Sequence, residues 1–291
     1  MSEDLRCIAQ PAAEPVTLAQ FKGLLRIPLA DTSRDSTLTL FLQAAREAFE
    51  GYCRIAIVTQ TWLYRLDSFP GISPRYDRNG FPQFPLPRPP FQSVDWISYV
   101  DTGGVVQTLA RDTSYGANPA APFYGYQMQP GGGIAPAWIS APWARPNPPQ
   151  RMVPANTLIQ FRCGYGGPLT VSMTSGSAAL AAPGFAFNPD DAPAMVGDVG
   201  TPISIPGAGA ASAALLSHVA AVDGSGNATL AVPAATSVAA ATAWLGDPVP
   251  YKLQLGILFL AQHFHEAGAV LDIDEPGVIE RLRRYSRNLV S

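Results

Sequence analysis

The spacing of apolar positions changes character within residues 38–66. Leu38, Leu42, Ala45, Phe49 and Tyr52 recur at intervals of four and three, which places them on one face of a helix. After Gly51 the period becomes two. Ile55, Ile57, Thr59, Thr61, Leu63 and Arg65 alternate with Ala56, Val58, Gln60, Trp62, Tyr64 and Leu66, and β-branched and aromatic residues dominate. A long amphipathic helix feeding directly into a long strand is therefore predicted. Upstream, Thr17 and Gln20 have capping-box spacing for a short helix, LAQFKGLLRI, closed by Pro28. Residues 1–16 read as an extended arm.

Further along, Val94–Val100 and Val105–Leu109 flank Asp101-Thr-Gly-Gly104, the pattern of a β-hairpin. Thr157–Cys163 reads as another strand, ending in Gly164-Tyr165-Gly166-Gly167. Residues 70–92 and 116–154, the latter with Trp138 and Trp143, are rich in Gly, Pro and aromatic groups. They read as irregular connections, because proline supplies no amide donor. The first either hugs the surface or projects toward a partner. Near the C-terminal end, Pro250 opens a helix to about Ala267. Its apolar residues (Leu253, Leu255, Ile257, Leu258, Phe259, Leu260, Phe264) run nearly all the way round. A helix of that kind is buried on every side, one of them by a neighbouring subunit. Val278–Arg287 then carries Arg281, Arg283, Arg284 and Arg287, the densest basic cluster of the chain.

Composition divides the chain. Between Arg162 and Lys252 there is no Lys or Arg, and residues 168–247 are rich in Ala, Gly, Ser, Thr and Val. Short strands are predicted at Leu169–Met173, Thr201–Ile205, His218–Val222, Ala228–Val232 and Ser237–Trp244, with a turn at Asp223–Asn227. Alternation such as Ala228-Thr-Leu-Ala-Val232 favours a small β-domain over a low-complexity linker. The fold class expected is α+β. A helical core with a hairpin and strand region spans 1–167 and 248–291, and an inserted all-β domain spans 168–247.

Charged residues make up only 14% of the chain, so neighbouring subunits or long loops cover much of its surface. A net charge of −3 gives no global basic field for nucleic acid. Cys7, Cys53 and Cys163 form an odd, widely spaced set and read as reduced thiols of a cytoplasm-made protein. The opening MSEDLRC lacks the apolar run of a signal peptide, and no stretch is long enough for a membrane span.

With these elements in order, the sequence resembles the tailed-bacteriophage head–tail connector (adaptor) family. The matching residues are Thr17-Leu-Ala-Gln-Phe21, the helix Leu38–Tyr52 with Ala45-Arg-Glu47, and Thr59-Gln-Thr-Trp62. They continue with Leu86-Pro87, Pro89-Pro90, Ser93-Val94 and Tyr99-Val-Asp101, then Tyr115, Gly164-Tyr-Gly166 and the helix opening at Val249-Pro250. Their collinear order carries the resemblance, which covers 17–167 and 248–290. The residues between are a departure, and parts of them resemble small β-modules of phage tail and fibre proteins.

The resemblance implies a structural virion protein of the neck, made in the bacterial host cytoplasm. It would form a ring of about twelve copies beneath the portal protein, bind a downstream neck or tail protein such as a stopper or tail terminator, and let double-stranded DNA pass without specific contact. The apolar C-terminal helix nominates Leu255, Leu258, Phe259 and Gln262 for the ring interface. The family's portal-contacting segment maps onto Arg281, Arg284, Tyr285, Arg287 and Leu289.

Catalytic, cofactor and metal sites are not nominated. Gly207-Ala-Gly209-Ala-Ala-Ser212 imitates a dinucleotide fingerprint, yet Ser212 replaces the third glycine and Pro206 disturbs the strand–turn junction. His263 and His265 are two apart, unlike an i, i+4 zinc pair, although Asp272, Asp274 and Glu275 follow. Two other readings remain open: a tail-fibre or baseplate module whose β-domain contacts carbohydrate, and a hydrolase with unrecognised carboxylates.

Overall fold

The computed structural model describes residues 3–67, 75–76, 82–111, 125–129, 138–140, 156–187, 198–223, 226–272 and 274–286. The chain begins with strand β1 (Glu3–Ala9), so part of the expected arm is a sheet edge. Helix α1 (Leu18–Leu25) starts with the predicted capping box: Thr17 Oγ1 accepts from the Gln20 amide, and the Gln20 side chain accepts from the Thr17 amide at 2.7 Å. It ends on Arg26 in the left-handed region, just before Pro28.

Helix α2 (Asp35–Cys53) follows, with Asp35 in its first turn complementing the helix dipole. Leu38, Phe41, Leu42, Ala45 and Phe49 are buried. Tyr52, expected on the same face, is exposed because the helix is ending there and runs off the core. Lys22 is 3% exposed; it forms an ion pair with Asp35 and donates to the Asp31 carbonyl at 2.7 Å, fixing α1 against the start of α2.

Strand β2 is Gln60–Leu66, shorter than predicted. Ile55–Val58 alternate in sequence without being a strand. Ala56 packs into the cluster beneath the sheet, while Ile55, Ile57 and Val58 pack among the helices. A segment threaded between two cores buries both of its sides.

The remaining strands of this part are β3 (Arg75–Tyr76), β4 (Pro82–Pro85), β5 (Phe91–Val100), β6 (Val106–Arg111), β7 (Gly125–Gln129), β8 (Trp138–Ser140) and β9 (Thr157–Cys163). They complete a sheet of order β1-β2-β9-β5-β6-β7-β8-β4-β3. The predicted hairpin is β5–β6, paired Val100↔Val106. Its turn is held by Asp101, whose carboxylate accepts from Gln107 Nε2 and the Val105 amide. Those bonds lower the Asp101 pKa below the ordinary carboxylate value. Segments expected as irregular connections thus contribute short strands, whereas Tyr115 and Trp143 lie outside the described residues.

From Gly166 the chain builds a closed six-stranded barrel. Its strands are β10 (Gly166–Met173), β11 (Ala179–Ala181), β12 (Pro202–Ile205), β13 (Leu215–Val222), β14 (Asn227–Leu230) and β15 (Val238–Gly246), in the order β10-β11-β14-β13-β12-β15. Leu169, Val171, Leu180, Phe187, Ile203, Ile205, Val219 and Leu230 fill it. The three-residue β11 has no period to be read from sequence.

Helices α3 (Tyr251–Ala267) and α4 (Pro276–Ser286) close the chain. α3 terminates on Gly268 at φ 69°, a left-handed cap that suits glycine. Leu253, Ile257, Leu260, Ala261 and Phe264 of α3 and Val278 and Leu282 of α4 share one core with α1 and α2. No helix among the described residues is long and apolar enough to cross a membrane. Among the described residues the architecture is α+β: four α-helices, an open sheet and a barrel.

Candidate assembly surfaces

The motif residues scattered along the chain converge where α2 meets the sheet. Arg46 points into the core side of α2 and is 4% exposed. Its guanidinium binds Glu50 at 2.6 Å, Glu14 at 2.9 Å and Glu47 at 3.4 Å. The Glu50 carboxylate also accepts from the Ile57 amide at 2.8 Å and from Gln60 Nε2 at 2.7 Å. Gln60 Oε1 in turn accepts from Trp62 Nε1 at 3.0 Å, and the Arg88 guanidinium lies 5.0 Å above the Trp62 ring. Arg88 reaches back to the Glu50 carbonyl at 2.6 Å. Gln60 and Trp62, embedded in a strand, therefore complete a network that begins on a helix.

Electrostatics within this network are uneven. Burial works against the Arg46 charge, but Glu50 and Glu14 outweigh it, and the guanidinium is held above its ordinary pKa. Glu14 shares that one cation with two other acids. Burial pushes its carboxyl up, and Arg46 only partly offsets the push. Glu14 and Glu50 were not singled out by sequence reasoning. The signal available was Glu50 itself, an acid four residues after Arg46 beside the buried Phe49.

Backbone contacts tie the same place to the barrel. The Ala56 amide bonds Pro89 O at 2.9 Å, Gly164 bonds Pro90 O at 2.7 Å, Tyr165 bonds Ile57 O at 3.2 Å and Thr59 bonds Gly166 O at 2.8 Å. Gly164 sits at φ +126°, and a Cβ there would meet the Val58 carbonyl carbon at 2.5 Å. Any side chain would push the two strands of backbone apart, which is why the Gly-Tyr-Gly motif is glycine here. Beside this junction lies a cleft of about 550 Å³ between sheet and barrel. Arg162 stands in its wall, bonded to Ser93 Oγ at 2.9 Å and 3.4 Å from both Asp95 and Asp198, with its guanidinium over the Phe185 ring.

The nominated interface residues lie on α3 and α4. Leu255 and Leu258 are half-buried, and Phe259 is at the exposed limit. Phe259 stacks on Tyr285 at 6.0 Å, and Gln262 donates to Glu266 at 2.8 Å. Arg281 donates to the carbonyl of Gly277 in its own helix, while Arg284 is exposed. Arg287 and Leu289 lie outside the described residues. Phe259 and Gln262, nominated for one contact, and Arg281, Arg284 and Tyr285, nominated for another, together line one groove of about 500 Å³. Gly256 makes it possible: a Cβ there would meet Phe49 at 2.7 Å and Tyr285 at 2.9 Å, so α2 and α4 approach α3 on either side of a bare backbone.

The remaining motifs have structural surroundings. Gly207–Ser212 belongs to the connection between antiparallel β12 and β13, so no strand-to-helix crossover surrounds it. His265 packs edge-on against Phe41, and His263 lies near Gly277. Groups of three or more metal-ligating side chains are absent among the described residues. Cys7, Cys53 and Cys163 form no disulfide, and burial pushes the Cys163 thiol well above its ordinary pKa.

No protein-family model matches the chain, and no curated protein matches it in sequence. Among solved structures it is similar to a chain in the virion of a native gene transfer agent particle, with 17% identity and a TM-score of 0.48. It is also similar to chains in the neck of the empty particle, computed with C6 symmetry, and of the native particle, computed with C12 symmetry. Both of those show 15% identity and a TM-score of 0.46. In each case 97% of this chain and 94% of the other are covered.

Proposed function

We propose that this chain is a structural neck protein of a tailed phage or phage-like particle, a head–tail adaptor. About twelve copies form a ring under the portal protein, present a platform to the next neck or tail protein, and leave a hole for the genome. The observation that supports this best is the convergence of the adaptor-like residues. Arg46, Gln60, Trp62, Pro89, Pro90, Gly164 and Gly166 come from four separated stretches and meet at one helix–sheet junction. Motifs matched by chance have no reason to share a network. On this reading they are the frame that fixes the angle between helices and sheet, and the chain's work is done by surfaces the frame presents. The barrel, attached beside the junction, then faces outward from the ring.

The test is cryo-EM of intact particles, together with mass photometry of the purified chain mixed with the portal protein of the same particle. A ring at the portal vertex is expected. Density for this chain in a fibre or baseplate would overturn the reading.

A further inference from the structure

We infer that the α3–α4 groove receives the outer face of α2 from a neighbouring copy. This deepens the ring reading and rests on it, naming the two surfaces that close the circle. On α2, Leu40, Gln43, Glu47 and Gly51 are exposed and form a stripe opposite the buried Leu38–Phe49 face. Leu40 is 55% exposed and the Glu47 side chain 64%. An apolar knob and a carboxylate thus stand two turns apart, about 10 Å along the helix. Lys22 engages Asp35, and Glu50 is buried, so Glu47, which touches Arg46 at 3.4 Å yet stays largely exposed, is the acid that α2 offers to solvent.

The groove offers a partner for each. Phe259 and Tyr285 form an aromatic floor; of the two arginines and two glutamates in the lining (Arg281, Arg284, Glu266, Glu280), Arg281 is tied to the Gly277 carbonyl and Arg284 is the exposed cation. An amphipathic helix laid between two helices is a recurring docking mode, read as anchors at i and i+7. Leu40 would fill the aromatic floor while Glu47 faces Arg284. Gly51, with half-buried Ala44 and Ala48 beside the stripe, keeps α2 thin enough to seat closely. Because stripe and groove are different patches of one chain, the contact is heterologous, the kind that generates a ring.

The chain would be assembled with the portal protein of the same particle, and rings counted by negative-stain microscopy and mass photometry. Glu47→Arg and Arg284→Glu should each reduce the ring fraction about tenfold, and the double reversal should restore it. Leu40→Ser should weaken rings without any charge change. Thermal melts of Leu40→Ser and Arg284→Glu should match the parent, since these side chains lie outside the core, whereas Glu47→Arg sets a cation beside the buried Arg46 and should lower its melt. If a reversal lowers the melt, Glu47→Gln and Arg284→Gln replace it, and each should still lose rings. Rings that survive the single reversals, or that fail to return in the double variant, overturn the docking while leaving the ring reading in place. A groove filled by portal density does the same. A parent chain that forms no ring at all overturns the ring reading, and this docking with it.

Discussion

The helix–sheet junction and the barrel solve the same problem by opposite means. At the junction an open sheet must hold a fixed angle to a helical layer, and apolar contact alone is non-directional. The sequence places Arg46 and Glu50 there, both buried and fully engaged. The barrel closes on itself, so its strands satisfy one another and no edge remains. It needs no such anchor, and none of the chain's 19 Lys and Arg residues lies between Arg162 and Lys252. Buried charge is spent where orientation has to be specified and omitted where topology specifies it.

That contrast can be broken most directly at Glu50. Glu50→Ala removes the nearest of the three carboxylates around the buried Arg46 and leaves the Ile57 amide and Gln60 Nε2 without their acceptor, and should lower stability by about 3–5 kcal/mol, read by urea unfolding. A loss below about 1 kcal/mol, typical of an exposed pair, would show that the network does not set the angle. Next in size is Gly164→Ala, at the seam between the regions. Strain at φ +126° and the clash with Val58 should cost about 1–3 kcal/mol. Hydrogen exchange should rise on both sides of the seam; a rise confined to one side would mean the two are not coupled there.

Arg162→Gln removes a cation shared by sheet and barrel and should cost about 1–2 kcal/mol. Exchange should increase around Asp198–Thr201, while the amides around Ile57 stay protected.

The smallest effect concerns pH. Glu14 has a folded-state pKa above its unfolded value, so in the window between the two the folded chain binds the extra proton. Its contribution to stability is therefore greatest below the ordinary glutamate pKa and declines as pH rises through the raised value. Melting temperatures across that window should fall more for the parent than for Glu14→Gln. Equal slopes would place Glu14 outside the network's electrostatics.

Much of this architecture was legible beforehand because local signals agreed with the tertiary outcome. The Thr17–Gln20 box, the α2 periodicity, the β5–β6 turn and the strand Thr157–Cys163 each have a short-range cause, and each formed. What stayed hidden was set at long range. Glu3–Ala9 becomes a strand only because β2 offers it an edge. Ile55–Val58 reads as a strand yet is a double-sided plug between two cores. The network from Glu14 to Trp62 crosses five segments, and no window of sequence contains it. The α3–α4 groove was visible only as two unrelated sets of residues, since their meeting depends on the chain reversing between Gly268 and Pro276.

The barrel enters at Gly166 and leaves at Gly246, residues that face each other across one strand pair. Its two attachment points are therefore neighbours, and the host chain experiences the module as little more than a tight turn. A cassette mounted in this way can be trimmed, lengthened or exchanged without moving the ends it is spliced into. The same scaffold could then carry different modules between the same two glycines.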